Sequence, residues 1–193
     1  MKLILNKKYN PLFSSDARYF IITGGRGSGK SFAVTVFLTL LTMTKGIRIL
    51  FTRFTMTSAH LSIIPEFLEK IGLLGFDEVF SINKAEVVNT SNQSDILFRG
   101  IRTSAGNQTA SLKSLQGIST WVLDEAEELV DENIFDTIDL SIREKNIHNR
   151  VVLILNPVTK EHWIYKRFFE DKGVEGGFNG FKDNVCYIHT NYR

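Results

Sequence analysis

Eight consecutive residues constrain this chain more than any others. Gly24-Gly25-Arg26-Gly27-Ser28-Gly29-Lys30-Ser31 fit the pattern G-x-x-x-x-G-K-[ST]. Their flanks supply the context that this pattern requires. Tyr19-Phe20-Ile21-Ile22-Thr23 is a β-branched and aromatic run of strand length, and no Gly or Pro interrupts Lys30 to Thr44, where apolar residues recur at helical spacing. A strand that turns through glycines into a helix brings successive N–H groups to the positive end of the helix dipole, where they can surround phosphate oxygens. Residues Gly25, Arg26, Gly27, Ser28, Gly29, Lys30 and Ser31 are therefore expected to cradle a nucleotide triphosphate. Lys30 would reach the β- and γ-phosphates, and the Ser31 hydroxyl would ligate Mg²⁺. Arg26, inside the loop, is either a solvent-exposed side chain or an arginine acting in cis on the γ-phosphate.

The rest of the chain alternates apolar strands with helical segments. Ile47–Phe54, Thr120–Leu123, Val151–Leu155 and Val185–His189 read as strands, as do the shorter Phe80–Ile82, Glu86–Val88 and Ile96–Phe98. Helices are expected over Thr57–Leu74, where Pro65 could introduce a kink, and over Asn133–Asn146 and Glu161–Asp171. Residues 103–117 and the four-glycine stretch 173–180 read as loops. The alternation predicts one α/β domain over residues 1–193 with a mainly parallel sheet covered on both faces.

An acidic end on another strand completes the chemistry. Trp121-Val122-Leu123-Asp124-Glu125 is a buried run ending in two carboxylates. Asp124 is expected to hold Mg²⁺ through water. Glu125 is placed to orient and deprotonate a water in line with the γ-phosphate. This pair separates ATP-hydrolysing motors from small GTPases and nucleotide kinases. The expected fold class is accordingly a P-loop NTPase of the additional-strand, catalytic-glutamate type. The run Val151–Leu155 ends in Asn156-Pro157. Asn156 either senses the γ-phosphate or attacking water at the ligand crevice, or simply ends the strand in a turn. Between Asp124 and Asp139 the chain carries eight acids and no base, of which only the first two are expected to serve the site.

With these sites placed, the chain resembles the ATPase domain of tailed-phage terminase large subunits. The likeness is carried by Gly24–Ser31, by Trp121-Val122-Leu123-Asp124-Glu125-Ala126-Glu127-Glu128-Leu129, by Leu155-Asn156-Pro157 followed by His162-Trp163, and by Phe98-Arg99-Gly100. It implies an ATP-driven motor that threads double-stranded DNA into a procapsid in the host cytoplasm. It also implies a ring of subunits, monomeric when the domain is isolated, that works with a portal protein and a terminase small subunit. Arg26 becomes a cis catalytic arginine, Glu125 the catalytic carboxylate and Asn156 the coupling residue, with Lys30 beside them. The family also carries a C-terminal metal-dependent nuclease domain. This chain stops near the expected linker, about residues 172–193, and no nuclease activity is expected of it. A basic residue supplied by a neighbouring subunit would be drawn from Arg99, Arg102, Lys113 or Arg143. Tyr9, Phe13 and Tyr19 fall where the family's base-binding segment lies and could stack on the base, with core packing the reading preferred for Tyr19.

Composition agrees with such a domain. Of 193 residues, 43% are hydrophobic and 23% charged, which excludes a disordered, collagen-like or disulfide-stapled chain. The one cysteine, Cys186, lies in an apolar run and reads as a small buried hydrophobe. The four histidines lack metal-ligand spacing. No apolar stretch is long enough to span a bilayer, and no secretory leader is expected. Residues 1–60 carry nine basic residues and one acid, against 14 and 20 in the remainder, which suits a polyanionic partner. Arg53 could face DNA or the crevice, or pair with an acid. Two rival functions stay open: another P-loop DNA motor of helicase type, and a non-catalytic module gated by ATP.

Overall fold

The computed structural model describes residues 3–56, 59–103 and 106–191. In chain order its strands are β1 (Tyr19–Gly24), β2 (Arg48–Thr55), β3 (Phe80–Ile82), β4 (Glu86–Asn89), β5 (Asp95–Thr103), β6 (Gly106–Asn107), β7 (Thr120–Asp124), β8 (Arg150–Leu155), β9 (Gly180–Lys182) and β10 (Val185–Thr190). The helices are α1 (Asn10–Ser14), α2 (Lys30–Leu41), α3 (Ala59–Leu74), α4 (Thr109–Lys113), α5 (Glu132–Asp139) and α6 (Trp163–Tyr165), the last continued by a π-helical turn over Lys166–Glu170. The strands join in the order β3-β4-β5-β2-β7-β8-β1-β10-β9, and β6 pairs with β5. From β5 to β10 every neighbouring pair is parallel. The edge strands β3, β4 and β9 are antiparallel.

Parallel strands covered on both faces are apolar throughout, and here the two-residue side-chain period divides them between two cores. Phe20 and Ile22 of β1, Val122 of β7, and Val152 and Ile154 of β8 enter one core with Ala33, Phe37, Ile64 and Phe67 of α2 and α3. Ile21, Trp121, Leu123, Val151, Leu153 and Leu155 enter the other with Phe135, Ile138, Trp163 and Phe168. Phe135 is the hub of the second core. Its ring lies 5.1 Å from Trp121 and 4.7 Å from Trp163, and edge-on to Phe168 at 6.2 Å. A buried hydroxyl ties β2 to β7. The Thr52 hydroxyl donates to the Val122 carbonyl and accepts from the Trp121 indole, both at 2.9 Å.

Several boundaries differ from the sequence expectation. The helix expected over 133–146 ends at Asp139, and left-handed Asn146 lies in the turns that follow. Its end is fixed by tertiary contacts: Asp139 receives Arg18 at 2.6 Å and the Tyr19 hydroxyl at 2.8 Å, and Arg18 also donates to the Ile142 carbonyl. The helix expected over 161–171 is a single α-turn that widens into π-helical geometry. Residues 103–117 are not a plain loop, since they contain β6 and α4. The glycine stretch ends in β9, an unexpected strand that pairs with β10. Helix α3 passes through Pro65 unbroken, and the expected start at Thr57 lies outside the described residues. Among the described residues no helix is long and apolar enough to cross a membrane.

Phe135→Ala should cost about 3–5 kcal/mol, as expected for emptying an aromatic site in a close-packed core. Urea unfolding followed by circular dichroism measures it. A loss under about 1 kcal/mol would show that Phe135 does not knit this layer together.

Candidate functional site

Register places the chemistry. In the sheet, β8 lies between β1 and β7, with Thr23 opposite Leu155 and Asp124 opposite Ile154. Three chain segments therefore leave the same carboxyl edge side by side: the glycine loop after β1, Asn156 after β8, and Asp124-Glu125 at the end of β7. This edge is where open parallel α/β sheets hold ligands. A cleft of about 370 Å³ opens there, lined by residues 26–32 together with Arg53, Asp124, Glu125, Glu127 and Asn156.

The loop is held from below. Gly24 has φ +155°, and a Cβ there would lie 2.2 Å from the Thr190 carbonyl oxygen and 2.8 Å from Ser28 Oγ. Only glycine lets β1 turn so closely past the end of β10. Gly29 is left-handed at φ 81° and starts α2 with no side-chain cap, so the helix N-terminus presents its N–H groups to the cleft. Tyr9, buried upstream of β1, donates its hydroxyl to the Ser28 carbonyl at 3.2 Å and pairs with Thr190 Oγ1 at 3.1 Å.

Lys30 is 9% exposed. Its ammonium donates to the carbonyls of Gly24 and Gly25, the latter at 3.0 Å, and reaches Asn156 Oδ1 at 3.5 Å. Burial pulls its pKa below the usual lysine value, and Glu127 and Asp124 oppose that shift. Ser31 lines the cleft at the first turn of α2, and Arg26 is exposed at its rim.

The acidic side is organised by an arginine that the sequence reading left undecided. Arg53, near the end of β2, donates Nε to Asp124 Oδ2 at 2.8 Å and brings Nη2 to the same oxygen at 2.7 Å. Its Nε lies 3.7 Å from Glu125 Oε2. Burial works against the Arg53 charge, but Asp124, Glu125 and Glu66 outweigh it and hold its pKa above the usual arginine value. Glu125 stands at φ 53°, ψ 45°, a conformation uncommon outside glycine and enriched at functional sites. Its carboxyl is pushed above the ordinary glutamate range, chiefly by burial, with Arg53 opposing and neighbouring acids adding.

Glu127 corrects the expectation that only Asp124 and Glu125 of the acidic run serve the site. Its carboxylate accepts the Asn156 side-chain amide at 2.6 Å and the Asn156 backbone N–H at 3.2 Å. This double grip points Asn156 Oδ1 toward Lys30. His162 donates Nε2–H to the Glu127 carbonyl at 3.1 Å and accepts the Ile164 N–H on Nδ1, tying the clamp to α6. Of the other acids in the run, Asp131 caps α5, Glu132 and Asp136 hold Arg167, and Asp139 receives Arg18 and Tyr19. The sequence signal for Glu127 was its i+2 spacing from Glu125 beyond a buried strand, which carries no information about a partner 29 residues away.

Other candidates fall elsewhere. Tyr19 opens β1 at the end opposite the glycine loop, packs on Phe168 and bonds Asp139, so it does not face the cleft. Phe13 is partly exposed and edge-on to Phe37. Arg99 donates to the Ala85 and Phe98 carbonyls. Arg102 lies opposite Thr55. Lys113 and Arg143 share a surface hollow with Gly117, beside the start of β7 and away from the cleft. Cys186 is buried, its thiol pushed up to about 12 by burial.

The donor set suits a magnesium nucleotide. One hydroxyl and one carboxylate, with room for water and phosphate oxygens, fit an ion that keeps much of its hydration shell. Asp124 is 4% exposed, yet lines the cleft.

Comparison with known proteins places the family and the fold. The family model described as phage terminase large subunit matches residues 16–193. No curated protein matches the chain in sequence. Among solved structures, the large terminase of a thermophilic bacteriophage superposes with a TM-score of 0.73 at 13% identity, covering 97% of this chain and 46% of that one. That protein has also been solved with ADP and with ATP-γ-S. The large-terminase ATPase domain of Thermus phage P74-26 gives 0.62 at 18% identity, covering 96% and 80%. The N-terminal domain of the bacteriophage phi29 DNA-packaging ATPase gives 0.67 at 16%, covering 97% and 96%. The chain thus spans about half the length of the thermophilic-phage large terminase.

Gly24→Ala should destabilise the fold by about 1–3 kcal/mol through overpacking against Thr190 and Ser28. Urea denaturation checks it. An unchanged midpoint would mean that the loop does not need this close approach.

Proposed function

As the chain belongs to the phage terminase large-subunit family, we propose that it is the ATP-hydrolysing motor domain of a viral DNA-packaging machine. The observation that carries this reading is the convergence of Lys30, Asp124, Glu125 and Asn156 on one cleft at the carboxyl edge of the sheet. A triphosphate seated on the glycine loop meets the unpaired N–H groups of α2 and the Lys30 ammonium, which exchanges its carbonyl partners for phosphate oxygens. Ser31 and Asp124 are the residues that would hold Mg²⁺. When bound, the ion neutralises charge on the β- and γ-phosphates.

Glu125 then serves as general base. It accepts a proton from water as the water oxygen bonds to the γ-phosphorus. The bond from that phosphorus to the β–γ bridging oxygen breaks, leaving ADP and phosphate. Arg26, on the rim, neutralises charge that builds on the γ-phosphoryl oxygens. Asn156, fixed by Glu127, reports the loss of the γ-phosphate to β8 and, through His162, to α6. The work done is translocation of double-stranded DNA into a procapsid, by a ring of subunits docked on a portal with a small subunit, in the host cytoplasm. The basic first third of the chain supports contact with phosphate backbones, which is blind to sequence.

Substitution separates binding from chemistry. Lys30→Ala should weaken binding of a fluorescent ATP analogue roughly 10-fold or more, the scale of a lost charged hydrogen bond. Glu125→Gln should bind normally, yet lower turnover by about 10²–10⁴, the usual contribution of a general base. Wild-type turnover in Glu125→Gln would remove its assigned role.

Glu125 acts only when ionised, and its pKa lies above the ordinary glutamate range. Turnover should therefore fall as pH is lowered, with a midpoint above that of an exposed glutamate. A kcat profile against pH measures this, and a rate that stays level through the acid range would contradict it.

A further inference from the structure

The Arg53–Asp124 ion pair occupies the carboxylate that the nucleotide-site reading gives to Mg²⁺. Two guanidinium nitrogens converge on one oxygen of Asp124, at 2.7 and 2.8 Å. The carboxylate is 6% exposed, so it has little water to share between two cations. A divalent ion beside that oxygen repels the guanidinium at close range, and burial leaves the repulsion poorly screened. Arg53 has somewhere else to go. Its side chain is 23% exposed. The carboxylate of Glu66, on the exposed side of α3, already exerts attraction on it. Glu66 lies on a different element, α3, which packs against α2, the helix that follows the phosphate loop.

From this geometry we infer that Arg53 is a built-in competitor of Mg²⁺ for Asp124. It holds the carboxylate in place before the ion arrives and transfers toward Glu66 when the ion binds, so that α3 registers occupancy of the site. Arg53 is a positioning residue here. It makes no claim on the reacting atoms. The inference rests on the nucleotide-site reading, and it adds a coupling between metal loading and a helix that touches neither metal nor nucleotide. Reciprocity then fixes the signs. Removing the competitor must ease Mg²⁺ binding, and removing its alternative acceptor must hinder it.

The test is equilibrium binding of fluorescent ATP-γ-S, titrated with Mg²⁺, with no turnover involved. Arg53→Gln should lower the Mg²⁺ concentration for half-maximal binding by about 5-fold or more, the low end of ordinary coupling. Glu66→Gln should raise it. Opposite shifts cannot come from general damage to the fold, which would weaken both variants. Equal or same-direction shifts overturn the inference. If Arg53→Gln does not fold, Glu66→Gln decides alone, and an unchanged half-saturation point overturns it. If the wild type binds no nucleotide at any Mg²⁺ concentration, the site reading fails and the inference falls with it.

Discussion

Parallel register across β7, β8 and β1 is the constraint on which the site depends. With Asp124 opposite Ile154 and Leu155 opposite Thr23, three strands end level with one another. Insertion of β8 between the other two separates the phosphate loop from the acidic pair by one strand and puts Asn156 in the gap. A slip of one residue would turn the β8 side chains to the wrong core, because Val152 and Ile154 serve one layer and Val151, Leu153 and Leu155 the other. Burial on both faces thus fixes the alignment of groups that come from residues 24, 124 and 156.

On that frame, the cleft is built of groups whose charges are already partnered. Lys30 is satisfied by backbone carbonyls, Asp124 by Arg53, and Asn156 by Glu127. Buried charges and amides are costly without partners, so a site awaiting a polyanion and a cation must carry stand-ins for both. The stand-ins sit on different elements: Arg53 on β2 for the cation, and the Gly24 and Gly25 carbonyls at the end of β1 for the phosphates. Exchange of these partners for ligand therefore reaches beyond the loop itself. Tyr9 and Thr190 hold the underside of the loop in the same way, linking it to the turn before α1 and to the end of β10.

The sheet and the loop were legible in the residues because their signals are local. A glycine-rich turn between an apolar strand and an uninterrupted helix specifies itself within about a dozen positions. So do all-apolar strands that end in polar pairs. What the residues did not disclose was set by distant contacts. Helix α5 stops at Asp139 because that carboxylate is taken by Arg18 and Tyr19 of another element. Strand β9 exists only because β10 offers an edge. Glu127 looked like a member of a charge run until folding placed Asn156 beside it, and Arg53, read as facing DNA or the crevice or pairing with an acid, meets its acid in Asp124. Tyr19 lies close to the loop in sequence, yet a strand of extended residues carries it to the opposite end of β1, where it packs on Phe168 as its core reading expected.

The central claim is geometrical: one cleft receives a triphosphate on residues 25–31 and turns Glu125 toward its last phosphorus. A crystal structure with ATP-γ-S and Mg²⁺ tests it most directly. The account predicts the phosphates wrapped by the loop amides, the ion between Ser31 and Asp124, and the Glu125 carboxylate facing the γ-phosphate. Nucleotide bound elsewhere, or Glu125 pointing to bulk solvent with the cleft filled, would contradict it.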